Sequence, residues 1–503
     1  LPLKDYNLLK TEKENRDETM NKLNWQDERN LTMLADFYEF TMANGFLESG
    51  VEDKIAYFDM FFRSIPEDGG FAIMAGVEQV IDYLNNLKFT EEDIQFFKSK
   101  NMFSDKFLDY LRNFQFQCDV WAIPEGTPIF PQEPIVVVRG PIIQAQMIET
   151  MILLTINHQT LIATKANRIV RAAKGRPVVE FGSRRAHSYD SAIYGARAAY
   201  IGGCVGTANT LSDKAFGVPA MGTMAHSWVQ MFPSELEAFR AYARTYPDNC
   251  FLLVDTYNTL RDGVPNAIRV FKEEVVPRGF RPKGIRIDSG DIAYLSKEAR
   301  KMLDEAGFPD CKIMASSGLD EYIISDLLLQ GACVDSFGVG ERLITSSHEP
   351  VLGGVYKLTA VEKDGKIVPK IKISSNVGKI TTPGFKQVQR LFDKDSNKAI
   401  ADVVTEFGEE IDNTKPYEIF HPLFTWKRKT LTNFYSKKLL VQIFDKGKQV
   451  YECPSLEEIR NYCMEQVDLL WDEVKRFENP HEYIVDLSLP VWEMKDRLIK
   501  ENQ

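Results

Sequence analysis

His226 carries the sharpest chemical signature in this chain. It is one of six histidines, and it alone follows Gly222-Thr223-Met224-Ala225 where an apolar run ends. A lone histidine is more often structural than functional. His187, just beyond Arg184-Arg185, is the alternative candidate. Three turns are suited to anions. Ser316-Ser317-Gly318, Gly338-Val339-Gly340 and Ser289-Gly290 can aim backbone N–H groups at a phosphate, and glycine admits a close backbone approach. Any one of them alone would read equally well as a tight turn. Arg184, Arg185 and Arg286 are placed to grip a carboxylate or phosphate with a planar fork, or to form structural ion pairs. Asp288 and Asp291 flank Ser289-Gly290, which suits recognition of ribose hydroxyls, indirect contact with a metal, or capping of the turn.

These residues share one setting. Val178-Val179-Glu180-Phe181 leads into Gly182-Ser183-Arg184-Arg185, and Pro219-Ala220-Met221 leads into the His226 cluster. Phe251-Leu252-Leu253-Val254 ends in Asp255-Thr256, and Gly284-Ile285-Arg286-Ile287 ends in Asp288. Lys312-Ile313-Met314-Ala315 ends in the serine pair, and Val334-Asp335-Ser336-Phe337 ends in Gly338. Helical patterns separate the runs, over residues 191–202, 235–246, 265–276, 293–306 and 321–330. Repeated strand–helix units favour a parallel sheet or barrel, whose ligands bind at the carboxyl ends of the strands.

The flanking segments read differently. Residues 1–24 form a polar tail. Residues 25–142 mix strands (55–62, 135–138) with helices (31–45, 77–87, 91–100), as an α+β amino-terminal domain does. A proline-free helix covers 143–174 and is closed by Gly175. It opens a barrel domain that runs to residue 355. Residues 356–503 form a carboxyl-terminal extension of hairpins, with bends at Asp364-Gly365, Asp395-Ser396-Asn397 and Lys446-Gly447, and a helix over 456–474.

The chain has 503 residues and a net charge of −11, which calls for two or three domains and argues against nucleic acid as the main partner. Seven scattered cysteines, with no C-x-x-C pair, fit reduced thiols in a cytoplasmic enzyme. No apolar run approaches the roughly 20 residues of a membrane span. The motifs G-x-G-x-x-G, H-E-x-x-H and G-x-S-x-G and the Walker A loop are missing. The six strand ends carry no lysine for Schiff-base chemistry.

Taken in order, Asp36-Phe37-Tyr38-Glu39-Phe40-Thr41, Glu180-Phe181-Gly182-Ser183-Arg184-Arg185-Ala186, Gly222-Thr223-Met224-Ala225-His226-Ser227, Leu253-Val254-Asp255-Thr256-Tyr257, Arg286-Ile287-Asp288-Ser289-Gly290-Asp291 and Gly353-Gly354-Val355-Tyr356-Lys357-Leu358 closely resemble the nicotinate phosphoribosyltransferase family over nearly the whole chain. The resemblance implies an α/β fold with an incomplete (β/α) barrel. It implies transfer of a phosphoribosyl group from 5-phosphoribosyl 1-pyrophosphate to nicotinate, in salvage of NAD, with Mg²⁺ and with ATP hydrolysis. It names no direct Mg²⁺ ligand.

Carried onto this sequence, the resemblance makes His226 the histidine that ATP phosphorylates. Thr223 and Arg286 fall on nicotinate contacts, and Arg184 on an arginine near ring and phosphate. Phe181 and Tyr38 become the two walls of a ring sandwich. In the family that tyrosine comes from the partner subunit, so a homodimer is implied. Ser289-Gly290, Ser317-Gly318 and Gly338 to Gly340 fall on phosphoribosyl contacts, and Asp288 is placed to stabilise a ribosyl cation. Glu341 departs from the threonine of many members. Its carboxylate would repel phosphate unless Arg342 or Mg²⁺ compensates. Asn209 falls near the aspartate with which the related nicotinamide enzymes hold the amide, which makes nicotinamide the alternative substrate. A non-catalytic metabolite sensor on the same fold is the alternative of another class.

Overall fold

The protein is described here from a computed structural model over residues 29–502. The polar tail expected over 1–24 lies outside the described residues. The chain divides into two compact units. One is Ile162–Pro350, and the other combines Leu1–Leu161 with Val351–Gln503.

The unit Ile162–Pro350 is built on six parallel strands: β1 (Val178–Glu180), β2 (Gly206–Thr207), β3 (Phe251–Leu253), β4 (Gly284–Ile287), β5 (Lys312–Ser316) and β6 (Ser336–Val339). Their order across the sheet is β2-β1-β6-β5-β4-β3. The first and last strands of the series are therefore neighbours, with Gly338 opposite Val179. Helices connect the strands, and β5 and β6 are almost wholly buried, as parallel strands covered on both faces must be. Asp291 caps the helix Ile292–Glu305 by accepting from Tyr294 N at 3.0 Å, so of the readings open for Asp291 its geometry matches the capping one.

Several expectations are corrected. Pro219-Ala220-Met221 is not a strand and contributes only a bridge between Ala220 and Thr207. The strand in that place is β2, which has no apolar run to announce it. The last strand lies two residues later than the apolar pattern predicts and runs through Gly338. The helix expected over 143–174 is two helices, Ile142–Met147 and Glu149–Ala172. The one expected over 265–276 is a chain of π, α and 3₁₀ turns from Thr259 to Arg278.

In the other unit, segments from both ends of the chain share one seven-stranded sheet. Its order is Lys366–Pro369, Val355–Lys363, Ile55–Phe61, Val136–Pro141, Asp119–Ala122, Val441–Asp445 and Lys448–Gln449. The sequence draws these segments as separate domains; the strand pairing joins them. Lys386–Asp393 and Ala399–Glu406 lie in a second, four-stranded sheet. Among the described residues no helix is long and apolar enough to cross a membrane, and all seven cysteines are free thiols.

Tyr38 lies on the helix Phe37–Glu48 and is 41% exposed. Its neighbour Glu39 is wholly buried. Glu39 Oε1 accepts from Thr150 N at 3.1 Å and from Thr150 Oγ1 at 2.6 Å, while Oε2 has no partner. Burial outweighs those two bonds and pushes the carboxyl from its ordinary 4.5 up to about 7. A folded-state pKa above the unfolded one stabilises the fold fully below pH 4.5, and that contribution is lost as pH rises through about 7. Glu39→Gln keeps the group neutral at every pH. Its melting temperature is therefore expected to gain on wild type between about pH 5 and pH 8. Thermal melts across that range test this, and a difference that stays constant with pH would refute it.

Candidate active site

The strand ends of the parallel sheet gather most of the residues singled out from the sequence. Asp255, just past β3, organises the centre. Its Oδ2 accepts from Asp288 N at 3.0 Å and from Ser289 Oγ at 2.6 Å. Its Oδ1 is buried and has no partner. Ser316 Oγ, at the end of β5, donates to Asp288 Oδ1. One carboxylate thus fixes the loop after β4, and the next ties that loop to β5.

His226 begins the short helix His226–Gln230. Its Nδ1 lies 3.1 Å from Thr256 Oγ1, and its Nε2 lies 3.8 Å from Asp288 Oδ2. The side chain is 39% exposed, so a reagent in solution can reach it. His187 is exposed and lies outside this hydrogen-bonded group.

Arg286 projects from β4, half-buried. It donates from Nη1 to Thr223 Oγ1 and from Nη2 to Met224 O, each at 2.9 Å. Its Nε–H is buried without a partner. Burial disfavours its charged form, while Asp288 and Asp255 favour it. A guanidinium has five donors, so this one is oriented by two bonds and keeps others for a carboxylate.

Phe181 extends β1 and donates its backbone N–H to Val339 O at 2.7 Å. A side chain at Gly338 would strike the Phe181 ring. Glycine at 338 therefore seats the ring. Gly340 has more room, since an added Cβ would meet Phe181 O at 3.4 Å. Glu180 is wholly buried and joins two strand ends. It accepts from Gly182 N through Oε1 and from Thr207 Oγ1 at 2.6 Å through Oε2, and burial raises its pKa. Thr207 Oγ1 in turn accepts from Asn209 N at 3.0 Å. Asn209 Oδ1 caps the helix Thr210–Phe216, accepting from Leu211 N at 3.0 Å and Ser212 N at 3.3 Å. The cap occupies the acceptor half of the amide, which leaves the Nδ2 donors for a ligand.

Two turns follow β5 and β6, which are paired through Ser316 and Gly338. Ser317 has φ +106° and Gly318 has φ +56°. Such a φ is unfavourable for a side-chain-bearing residue and costs on the order of 1–3 kcal/mol. Gly290, at φ +82°, adopts a similar conformation without that cost. Beyond β6, Glu341 lies 3.5 Å from Arg185, and Arg342 pairs with buried Asp320. The partner of Glu341 is thus Arg185 rather than Arg342. Successive residues at a helix start point to different sides, so the two neighbours face different charges. Arg184 is exposed, close enough for its charge to bear on Arg286. Tyr38 belongs to the other compact unit.

Sequence reasoning assigned no role to Asp255, Thr256 or Glu180. The available signal is their position: Asp255-Thr256 ends an apolar run, and Glu180 is a lone charge inside one. Among the described residues no group of three or more His, Cys, Asp or Glu side chains is arranged to hold a metal. The free Oδ1 of Asp255 beside Asp288 nevertheless fits a cation that brings phosphate oxygens with it, because Mg²⁺ takes one or two carboxylates plus substrate phosphates.

Known proteins match along most of this chain. Family models match at residues 33–157 (nicotinate phosphoribosyltransferase N-terminal domain), 177–402 (nicotinate phosphoribosyltransferase family) and 385–495 (C-terminal domain). A nicotinate phosphoribosyltransferase of Bacillus subtilis is 46% identical over 471 residues, covering 94% of this chain and 96% of that protein. One from Dictyostelium discoideum is 34% identical over 513 residues, covering 91% and 86%. The crystal structure of human nicotinic acid phosphoribosyltransferase has a TM-score of 0.82 at 28% identity, covering 92% of this chain and 99% of that one. A nicotinate-nucleotide pyrophosphorylase from Pyrococcus furiosus has a TM-score of 0.67 at 26% identity, covering 88% and 97%. With this identity sustained along almost its full length, the chain belongs to the nicotinate phosphoribosyltransferase family.

Proposed function

We propose that the chain transfers the phosphoribosyl group of 5-phosphoribosyl 1-pyrophosphate to the ring nitrogen of nicotinate, and that ATP is hydrolysed through a phosphate carried on His226. The observation that carries this reading is the half-buried Arg286, held by Thr223 and Met224 with donors to spare, on the strand that also delivers Asp288 beside His226. The strand order, with first and last strands paired, supports an incomplete barrel opened between β2 and β3.

In this reading the nicotinate carboxylate lies on Arg286 and Thr223, with Arg184 nearby. The ring stacks on Phe181, and Tyr38 of a second copy closes the sandwich in a homodimer. The 5-phosphate and ribose take the turns Ser289-Gly290, Ser317-Gly318 and Gly338 to Gly340, with Glu341 neutralised by Arg185. The pyridine lone pair forms the bond to the anomeric carbon as the bond to pyrophosphate breaks. No general base is needed, since that nitrogen carries no proton to lose. Asp288 stabilises the positive charge that develops on the ribosyl group. Asp255 and Asp288 would hold Mg²⁺ together with the diphosphate, and the ion would supply charge neutralisation there. His226 attacks the terminal phosphorus of ATP and releases ADP; water later removes the phosphate. While present, it adds negative charge beside the diphosphate.

The test is to incubate the protein with nicotinate, the phosphoribosyl donor, ATP and Mg²⁺, and to measure product by chromatography. Nicotinate mononucleotide and ADP are the expected products, and a protein that forms neither is not this enzyme. Asn209→Asp sets an acceptor where the amide donates. The loss of a charge-assisted hydrogen bond is worth roughly 1.5–3 kcal/mol, or about 10- to 150-fold, and is expected for nicotinate and not for nicotinamide. Equal losses for both substrates would remove Asn209 from the specificity argument.

A further inference from the structure

We infer that the Asp320–Arg342 ion pair is a clasp that positions two loops for the phosphoribosyl donor, an inference that rests on the reading above. The two loops leave neighbouring residues of the sheet, Ser316 of β5 and Gly338 of β6. The first carries Ser317 in a left-handed conformation that a side chain disfavours. A turn of this kind persists only where its surroundings hold it. Three residues on, Asp320 supplies the hold. It is 1% exposed, its Oδ1 accepts from Ile323 N at 2.8 Å, and its Oδ2 pairs with Arg342.

Arg342 sits two residues after Gly340, so the pair spans both loops. His348 Nε2 lies 3.8 Å from the same Asp320 oxygen. The next residue, Glu321, is anchored from the helix Glu149–Ala172 by Lys165 at 2.9 Å and Arg168 at 2.6 Å. The start of the helix Glu321–Leu329 is thereby fixed on two sides, and Arg342 links it to the second loop. Asp320 and Arg342 are positioning residues here, because the loops and not the pair meet the donor.

The experiment compares Arg342→Ala, Arg342→Lys and Asp320→Asn with wild type, alone and combined with Ser317→Gly. KM for both substrates, kcat and melting temperature are measured. Calorimetry with 5-phosphoribosyl 1-pyrophosphate and Mg²⁺ reports donor binding independently of turnover. Arg342→Ala is expected to raise KM and Kd for the donor about tenfold, while kcat and the nicotinate KM stay within about twofold. Arg342→Lys falls between, since it restores charge without the planar fork. Ser317→Gly removes the conformational penalty, and because Ser317 itself lies in the donor turn the double variant is read against Ser317→Gly alone: in that background Arg342→Ala should cost only about half as much on a logarithmic scale. A merely structural role would lower the melting temperature without that reduction. Unchanged donor binding in Arg342→Ala and Asp320→Asn, parallel losses for both substrates, or an undiminished cost with glycine at 317 would each overturn the clasp. Were wild type to bind the donor without transferring it, the proposed reaction would fail, and calorimetry would still decide the clasp.

Discussion

Replacing Arg286 by glutamine is expected to raise the KM for nicotinate by roughly 30- to 1,000-fold, the equivalent of about 2–4 kcal/mol for losing one partner of a buried charged contact. The size follows from the burial of the guanidinium and from the fixed direction of its fork, set by Thr223 and Met224. Arg286→Lys should recover only part of the loss, because an ammonium cannot match a planar carboxylate with two parallel bonds. The KM for the phosphoribosyl donor should move by less than about threefold, since uniform damage would shift both substrates. Initial rates with each substrate varied in turn check this. If the nicotinate KM is unchanged in Arg286→Gln, the carboxylate site lies elsewhere.

The second large effect concerns His226. His226→Asn keeps a polar group of similar length but removes the nitrogen nucleophile. Nicotinate-stimulated ATP hydrolysis is expected to fall by at least about two orders of magnitude. Acid-labile, base-stable phosphate on the protein should disappear with it. Formation of the mononucleotide without ATP should continue at a low basal rate, because Arg286, Phe181 and the phosphate turns are untouched. Labelling with γ-³²P-ATP decides the matter: full incorporation into His226→Asn would place the phosphate on another residue.

Much of the catalytic unit is legible in the sequence because its strands are short, buried and abruptly ended. The strands Phe251–Leu253, Gly284–Ile287 and Lys312–Ser316 coincide with mostly apolar runs that give way to Asp255, Asp288 and the pair Ser316-Ser317. Strand Gly206–Thr207 has no such signature, since two small residues are held only by backbone pairing with Val179 and Glu180. The role of Asp255 needed the sheet order, because its partners Asp288 and Ser289 lie more than thirty positions away. The partner of Glu341 was misread for a local reason. Adjacency in sequence suggested Arg342, while the turn of the chain at 341 directs Arg342 to Asp320 and leaves Arg185 for Glu341. Glycine at 338 reads from the sequence as room for a phosphate, whereas its closeness to the Phe181 ring depends on the pairing of two strands far apart in the chain.

The seven-stranded sheet has a consequence for how this chain is made. Ile55–Phe61 pairs with Val136–Pro141 on one side and with Val355–Lys363 on the other, and Val441–Asp445 closes against Asp119–Ala122. At synthesis rates of about 5–20 residues per second, the nascent amino-terminal strands wait roughly 15–60 s on the ribosome for their last partners. Ile162–Pro350 is one uninterrupted stretch and can be completed during that delay. For this interval the early strands present open, apolar edges to their surroundings, which places a demand on chaperones.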